Sequence, residues 1–306
     1  MKKIKIEIKY LAVFSMLLAC VFFVSFLIVN SINNYFDSLA VRILLMAILA
    51  IVFSVIISYG LSILSTTVKD AMITLRRMLT VQNLSNPLLM KLAEKAPGTY
   101  HHSMNVSNIA QNAARKIGAN SLLVRTASYY HDIGKLKDPG TFIENQSHNE
   151  IPQDENAEYI RNIAKRIISH VTEGIKVAKD NSLPEEIIDL IAEHHGTTRV
   201  LYCFEKAKER GLKIKRTDFR YPGPVPQSPE SVILMLADCV EAAARASENL
   251  SHATIKKIVE STIEEKLAEK QIGRANISET NLAKIKNSLI ESLDAIYHQR
   301  IKLEQE

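Results

Sequence analysis

The sequence has no tryptophan, only three cysteines among its 306 residues, and few aromatic side chains, which make up 6% of the chain. Cys20 lies in an apolar run, and Cys203 and Cys239 have no second cysteine at metal-ligand spacing. Neither a disulfide framework nor a cysteine-rich zinc site is therefore expected. No stretch alternates apolar and polar residues as a strand would, and no segment repeats, so the apolar residues downstream of Tyr100, which recur at helical spacing, predict an all-helical domain. Charge is missing from two long stretches, Leu11 to Val29 and Ile43 to Leu64.

Each uncharged run, at 1.5 Å per residue, is long enough to cross a hydrocarbon core roughly 30 Å thick. The net charge is +5, and much of the excess flanks these runs: Lys2, Lys3, Lys5 and Lys9 precede the first, and Lys69, Arg76 and Arg77 follow the second. The connection from Asn30 to Arg42 carries only Asp37 and Arg42. Positive-inside reasoning predicts a two-span hairpin in the cell membrane with both termini cytoplasmic. With no small-residue cleavage site standing out, the first run is expected to remain an anchor rather than a cleaved signal peptide.

The expected organisation is all-α in three parts: a two-span anchor over residues 1–65, a juxtamembrane helix and linker over 66–98, and a cytoplasmic helical domain over 99–306. Asn86-Pro87 and Ala96-Pro97-Gly98 read as breakers in the linker. A helix from about His101 to Ile117 buries Val106, Ile109, Ala110, Ala113 and Ile117, and His102 shares that face. His101 instead lines up with Asn105, Asn108 and Asn112 on the wet side. A second helix, from about Ser121, ends at His131-Asp132, followed by a loop from Lys137 to Gln153.

A long helix over about Asn156 to Lys179 puts His170 at the edge of the stripe Ile160, Ile163, Ile167 and Val171. Pro184 opens the next helix, which ends at His194-His195-Gly196. Between Lys206 and Arg220 seven basic residues face two acidic ones, a solvated surface or one that attracts phosphate or anionic lipid. Four prolines from Pro222 to Pro229 stiffen the loop that follows. Asp238 then comes after a strongly apolar run, where a carboxylate must be paired or metal-bound. Glu241 and Arg245 share its side of the helix, at the spacing of an i,i+4 ion pair. Ser251 to Glu306 reads as two amphipathic helices joined near Gly273 to Asn276, a packing surface and candidate homodimer face without chemistry.

An isolated His131-Asp132 pair suits a helix end, with Gly134 as the cap and Asp132 in solvent. The other candidates change its weight. His102, His131, Asp132, His170, His194, His195 and Asp238 arrive from five helices, all imidazole or carboxylate, a mix that suits iron, manganese or zinc. With Asp132 bridging through its two oxygens, seven ligands are enough for two divalent ions, which would clamp a phosphoryl oxygen and lower the pKa of a shared water.

The arrangement His102, His131-Asp132 and Asp238 resembles the H…HD…D signature of the HD phosphohydrolase superfamily, and His170 with His194-His195 resembles its two-metal phosphodiesterase branch. The likeness is closer to the seven-transmembrane HD proteins, the PgpH-type cyclic-di-AMP phosphodiesterases. It is carried by Ala96-Pro97-Gly98-Thr99-Tyr100-His101-His102-Ser103, Tyr130 to Lys135, Phe142 to Gln146, Glu193 to Thr197 and Phe219 to Pro224, within about residues 70–300.

The resemblance implies an iron or manganese centre and hydrolysis of cyclic di-AMP to linear pApA by a metal-bridging hydroxide. One ion would take His102, His131, Asp132 and Asp238, the other Asp132, His170, His194 and His195. Lys135 and Arg245 would balance phosphate charge. The expected partners are cyclic di-AMP and the lipid bilayer, with no nucleic-acid polymer.

Two departures stand out. The sequence shows two apolar runs rather than seven, and the family's extracellular domain has no counterpart in these residues. Gly196-Thr197-Thr198 after the His pair differs from the Asp-Gly-x-Gly-Tyr-Pro run of the HD-GYP proteins, which cleave cyclic di-GMP. The competing readings are a hydrolase of cyclic di-GMP or a guanosine alarmone, and a non-catalytic cyclic-dinucleotide receptor.

Overall fold

Prolines and short polar side chains set where the helices start. In the computed structural model, which describes residues 2–35, 37–146 and 157–303, Pro87, Pro97 and Pro229 each occupy the first turn of a helix, where a missing N–H costs nothing. Asn86, Asn120, Ser228 and Ser251 cap helices by accepting a backbone N–H in the first turn. The chain divides into two compact units, Met1–Leu79 and Thr80–Glu306.

The first unit holds α1 (Lys2–Tyr35) and most of α2 (Leu39–Val81). Large apolar side chains point outward along both, among them Phe22, Phe26, Ile43, Ile51 and Val55. Among the described residues one segment, Leu39–Asp70, is long and apolar enough to cross a membrane, with a mean hydropathy of 2.8; Val21–Ile32 is a shorter apolar piece.

The second unit is all-helical: α3 (Pro87–Lys95), α4 (Pro97–Ile117), α5 (Ser121–Tyr130), α6 (Ala157–Asp180), α7 (Glu185–Glu193), α8 (Leu201–Glu209), α9 (Pro229–Arg245), α10 (His252–Ala268) and α11 (Glu279–Leu303). Among the described residues there is no strand, only an isolated antiparallel bridge between Arg199 and Arg220. α4 lies centrally, packed on α3, α5, α9 and α11, while α7 packs on α5, α6 and α9. In α9, Val232, Ile233, Leu234, Met235 and Leu236 are all fully buried. Burying each such side chain contributes about 1.5–3 kcal/mol, so α9 supplies a large share of the buried core. A second apolar cluster joins α6 and α8 through Ile160, Ala164, Phe204, Ala207 and Phe219.

Three expectations need correction. Ala96-Pro97-Gly98 is no turn in a linker: Pro97 starts α4, four residues before the expected helix start, because proline fits a first turn. Gly134 does not cap a helix. It lies in a 3-10 turn, Ile133–Lys137, pressed against α6, where a Cβ would stand 1.9 Å from the His170 carbonyl oxygen and 2.4 Å from Gly174 N. The loop expected from Lys137 is built, as far as Gln146, on the end of that turn and two more 3-10 turns, Pro139–Thr141 and Ile143–Asn145; its remainder, from 147, lies outside the described residues.

Candidate metal centre

Helix ends and helix faces deliver the seven expected residues to one place. α4 carries His102, the end of α5 carries His131 and Asp132, α6 carries His170, the end of α7 carries His194 and His195, and α9 carries Asp238. All are buried except His195, whose side chain is 21% exposed.

Local hydrogen bonds fix how the imidazoles face. His131, His170 and His194 each direct Nδ1 at the backbone carbonyl three residues earlier, Ser128 O at 2.8 Å, Ile167 O at 2.5 Å and Ile191 O at 2.7 Å. A carbonyl only accepts, so Nδ1 carries a proton in each and Nε2 is the nitrogen left to face the cluster, bare wherever the ring is neutral. Ser128 and Ile191 lie in the last turns of α5 and α7, where carbonyls lack helical partners. His170 Nε2 and His194 Nε2 then stand 3.2 Å apart, lone pair against lone pair. That approach is repulsive until a cation lies between them.

The Asp132 carboxylate divides the cluster. Its Oδ1 faces His170 Nε2 at 3.3 Å and His194 Nε2 at 3.9 Å. Its Oδ2 faces His131 Nε2 at 3.3 Å and His102 Nε2 at 3.8 Å. Asp238 straddles in the same way, with Oδ1 2.9 Å from His102 Nε2 and 3.7 Å from His131 Nε2, and Oδ2 3.7 Å from His195 Nδ1. The potential ligand atoms fall into two groups, Asp132-His170-His194-His195 and His102-His131-Asp238, each with its atoms within 4.8 Å of one another. His131 Nε2 and Asp132 Oδ1 are buried without any hydrogen-bond partner. Orphaned buried polar atoms are costly, and a cation bound between the groups would satisfy them. The imidazole and carboxylate set fits divalent metal ions.

The electrostatics differ between the groups. Burial lowers the His131 pKa, but the Asp132 and Asp238 charges outweigh it and raise the value to about 10. His102 is likewise raised, with Asp238 and Glu241 overcoming burial. Burial wins on the other side: it depresses His170 against the pull of Asp132, brings His194 down to about 3 with help from His131 and His170, and holds His195 well below its ordinary value. His170, His194 and His195 are thus neutral at pH 7, while the other group attracts positive charge.

A family model described as "HD domain" matches residues 99–243. The chain is 43% identical over 232 residues to the cyclic-di-AMP phosphodiesterase PgpH of Listeria monocytogenes, covering 76% of this chain and 32% of that protein. It is 41% identical over 227 residues to PgpH of Bacillus subtilis, covering 74% and 32%. The chain thus spans about a third of the length of these relatives. The crystal structure of the L. monocytogenes PgpH HD domain in complex with cyclic di-AMP aligns with a TM-score of 0.65 and 42% identity, covering 69% of this chain and 97% of that domain. The chain belongs to the PgpH-type HD family.

In this HD domain the cluster opens into a cleft of about 530 Å³. Phe142, Ile143, Ile167 and Ala242 give it apolar walls, and Lys135 and Arg245 bring positive charge. Lys135 Nζ is held 2.8 Å from Asp132 Oδ2 and 2.6 Å from Glu144 Oε1, and Thr99 Oγ1 donates to the same Glu144 oxygen at 3.1 Å. Gly98 makes room for this clamp, since a Cβ there would lie 1.8 Å from Glu144 O. Arg245 sits 3.9 Å from Glu241 Oε2, the expected i,i+4 partner, with its side chain 37% exposed beside the cleft.

Other contacts of the HD domain were not assigned from sequence. Glu241 receives His102 Nδ1, and Asn105, expected on the wet side, is half-buried and donates to Glu241 Oε1 at 3.1 Å. Tyr221 stacks on His195 with ring centres 4.2 Å apart. Gln271, from the connection between α10 and α11, accepts from Thr197 N at 3.0 Å and so reaches the turn after the His pair. A carboxylate three residues after Asp238 on a buried helix was the one available signal for Glu241.

Proposed function

We propose that this chain is a membrane-anchored di-metal phosphodiesterase that hydrolyses cyclic di-AMP to linear pApA. The observation that carries this reading is Asp132, whose two carboxylate oxygens face two separate sets of imidazole Nε2 atoms beneath the cleft. Support for the substrate comes from the related PgpH HD domain crystallised with cyclic di-AMP.

His102, His131, Asp132 and Asp238 would hold one ion, and Asp132, His170, His194 and His195 the other, iron or manganese in each place. When bound, the ions supply Lewis-acid polarisation of a phosphoryl oxygen and activation of water near neutral pH. The protein's own part is positioning. The carbonyls of Ser128, Ile167 and Ile191 hold three imidazoles in the ligand tautomer. Lys135 orients the Asp132 carboxylate from one side and, with Arg245, places positive charge where phosphate negative charge must be balanced. The apolar residues of the cleft wall exclude water around the reacting group and offer faces for bases. Leu39–Asp70, together with the first apolar run, would anchor the domain as a two-span hairpin with both termini cytoplasmic.

The test is a substrate panel with the detergent-solubilised full chain and Mn²⁺ or Fe²⁺. Release of pApA from cyclic di-AMP is expected. Intact cyclic di-AMP alongside cleaved cyclic di-GMP or guanosine alarmone would reassign the substrate, and binding without turnover of any of them would make the chain a receptor.

A further inference from the structure

Four histidines of the centre have Nδ1 on a protein acceptor, and for three of them that acceptor is a backbone carbonyl. His102 is the exception: its Nδ1 meets Oε2 of the Glu241 carboxylate. Glu241 is 1% exposed, and a carboxylate survives there only with its oxygens satisfied. Asn105, three residues after His102 on α4, donates to Oε1 at 3.1 Å, and Arg245, one turn further along α9, lies 3.9 Å from Oε2. Asn105 and Arg245 hold Glu241 from two helices, and Glu241 holds His102.

We propose that Glu241 is the positioning residue of His102. It directs Nε2 toward Asp132 and Asp238, and it strengthens the hold on the ion on the His102 side. The inference rests on the two-metal reading above. An imidazole backed by an anion is a stronger donor than one backed by a neutral carbonyl, and the opposite group has no comparable carboxylate behind its histidines: His170 and His194 rest on carbonyls, and His195 on the Tyr221 ring. Glu241 itself lies behind the imidazole and is not a ligand. Its loss should therefore weaken one ion and spare the other.

The experiment titrates Mn²⁺ into the metal-stripped full chain in detergent, reading bound ions by calorimetry and elemental analysis, for wild type, E241Q, E241A and N105A. Wild type should take up two ions. E241A should weaken one of the two about 10–100-fold and leave the other unchanged. E241Q, whose amide oxygen still accepts the Nδ1 proton but carries no negative charge, should recover only part of that loss. N105A should weaken the same ion by a smaller factor. Circular dichroism checks the fold of each, and if E241A does not fold, unaltered affinity in both E241Q and N105A overturns the inference. Equal Mn²⁺ affinities in E241A and wild type also overturn it, as does an equal loss at both ions. Wild type that binds no ion overturns the two-metal reading, and the inference with it.

Discussion

Gly134 and His170 belong to segments packed so closely that a Cβ on Gly134 would stand 1.9 Å from the His170 carbonyl oxygen. The glycine is what lets the turn carrying Asp132 lie against the helix carrying His170. Replacing it with alanine forces backbone apart from backbone, since Gly174 N is also only 2.4 Å from that Cβ. Overpacking of this kind costs about 1–3 kcal/mol or more. G134A should lower stability by at least that amount in urea titrations and weaken Mn²⁺ binding, because the separation acts between Asp132 and His170. Wild-type metal affinity in a folded G134A would show that the close approach is not needed.

Metal binding should be coupled to pH on one side of the centre only. Without ions, His131, at about 10, keeps its extra proton at pH 7 and His102 is raised toward keeping one, whereas His194, at about 3, and the lowered His170 and His195 do not. An ion entering beside His102 and His131 must displace the extra proton of His131 and any held by His102, so its affinity rises as pH rises toward 10. An ion entering beside His170, His194 and His195 displaces none near neutrality. Calorimetry at pH 7 in buffers of different ionisation enthalpy measures the released protons directly; equal release at both ions would contradict the assignment.

Lys135 is shared between Asp132 and Glu144, with its side chain 13% exposed. Removing one partner of a buried pair typically destabilises by about 3–5 kcal/mol, because the remaining charge is left uncompensated. K135M should lose stability on that scale, and adding E144Q should restore a large part of it. Activity on cyclic di-AMP should stay low in the double variant, since the charge that orients Asp132 and faces phosphate is gone. Recovery of activity together with stability would make Lys135 purely structural.

Much of the fold could be read along the chain because helical periodicity is local. The buried face of α4, the stripe of α6, the apolar run of α9 and the α10–α11 pair all follow from spacing. The misreadings arose where one residue type suits two conformations. Pro97 fits a linker or a first helical turn, and Gly134 fits a cap or a close contact; tertiary packing decides between them. Within the centre, the seven imidazole and carboxylate residues declared themselves by type, and the structure brings all seven together. Their supports did not, because Glu241, Asn105 and Gln271 act through contacts across 136, 139 or 74 residues of sequence.

The central claim is that Asp132 joins two metal positions through its two oxygens. Asp132→Asn keeps the side-chain shape but leaves only one oxygen, so the most direct measurement is bound Mn²⁺ per chain and pApA release for D132N beside wild type, with fold checked by circular dichroism. The account predicts a fall from two ions to one or fewer and loss of pApA release to background. Two bound ions with undiminished turnover in D132N would contradict it.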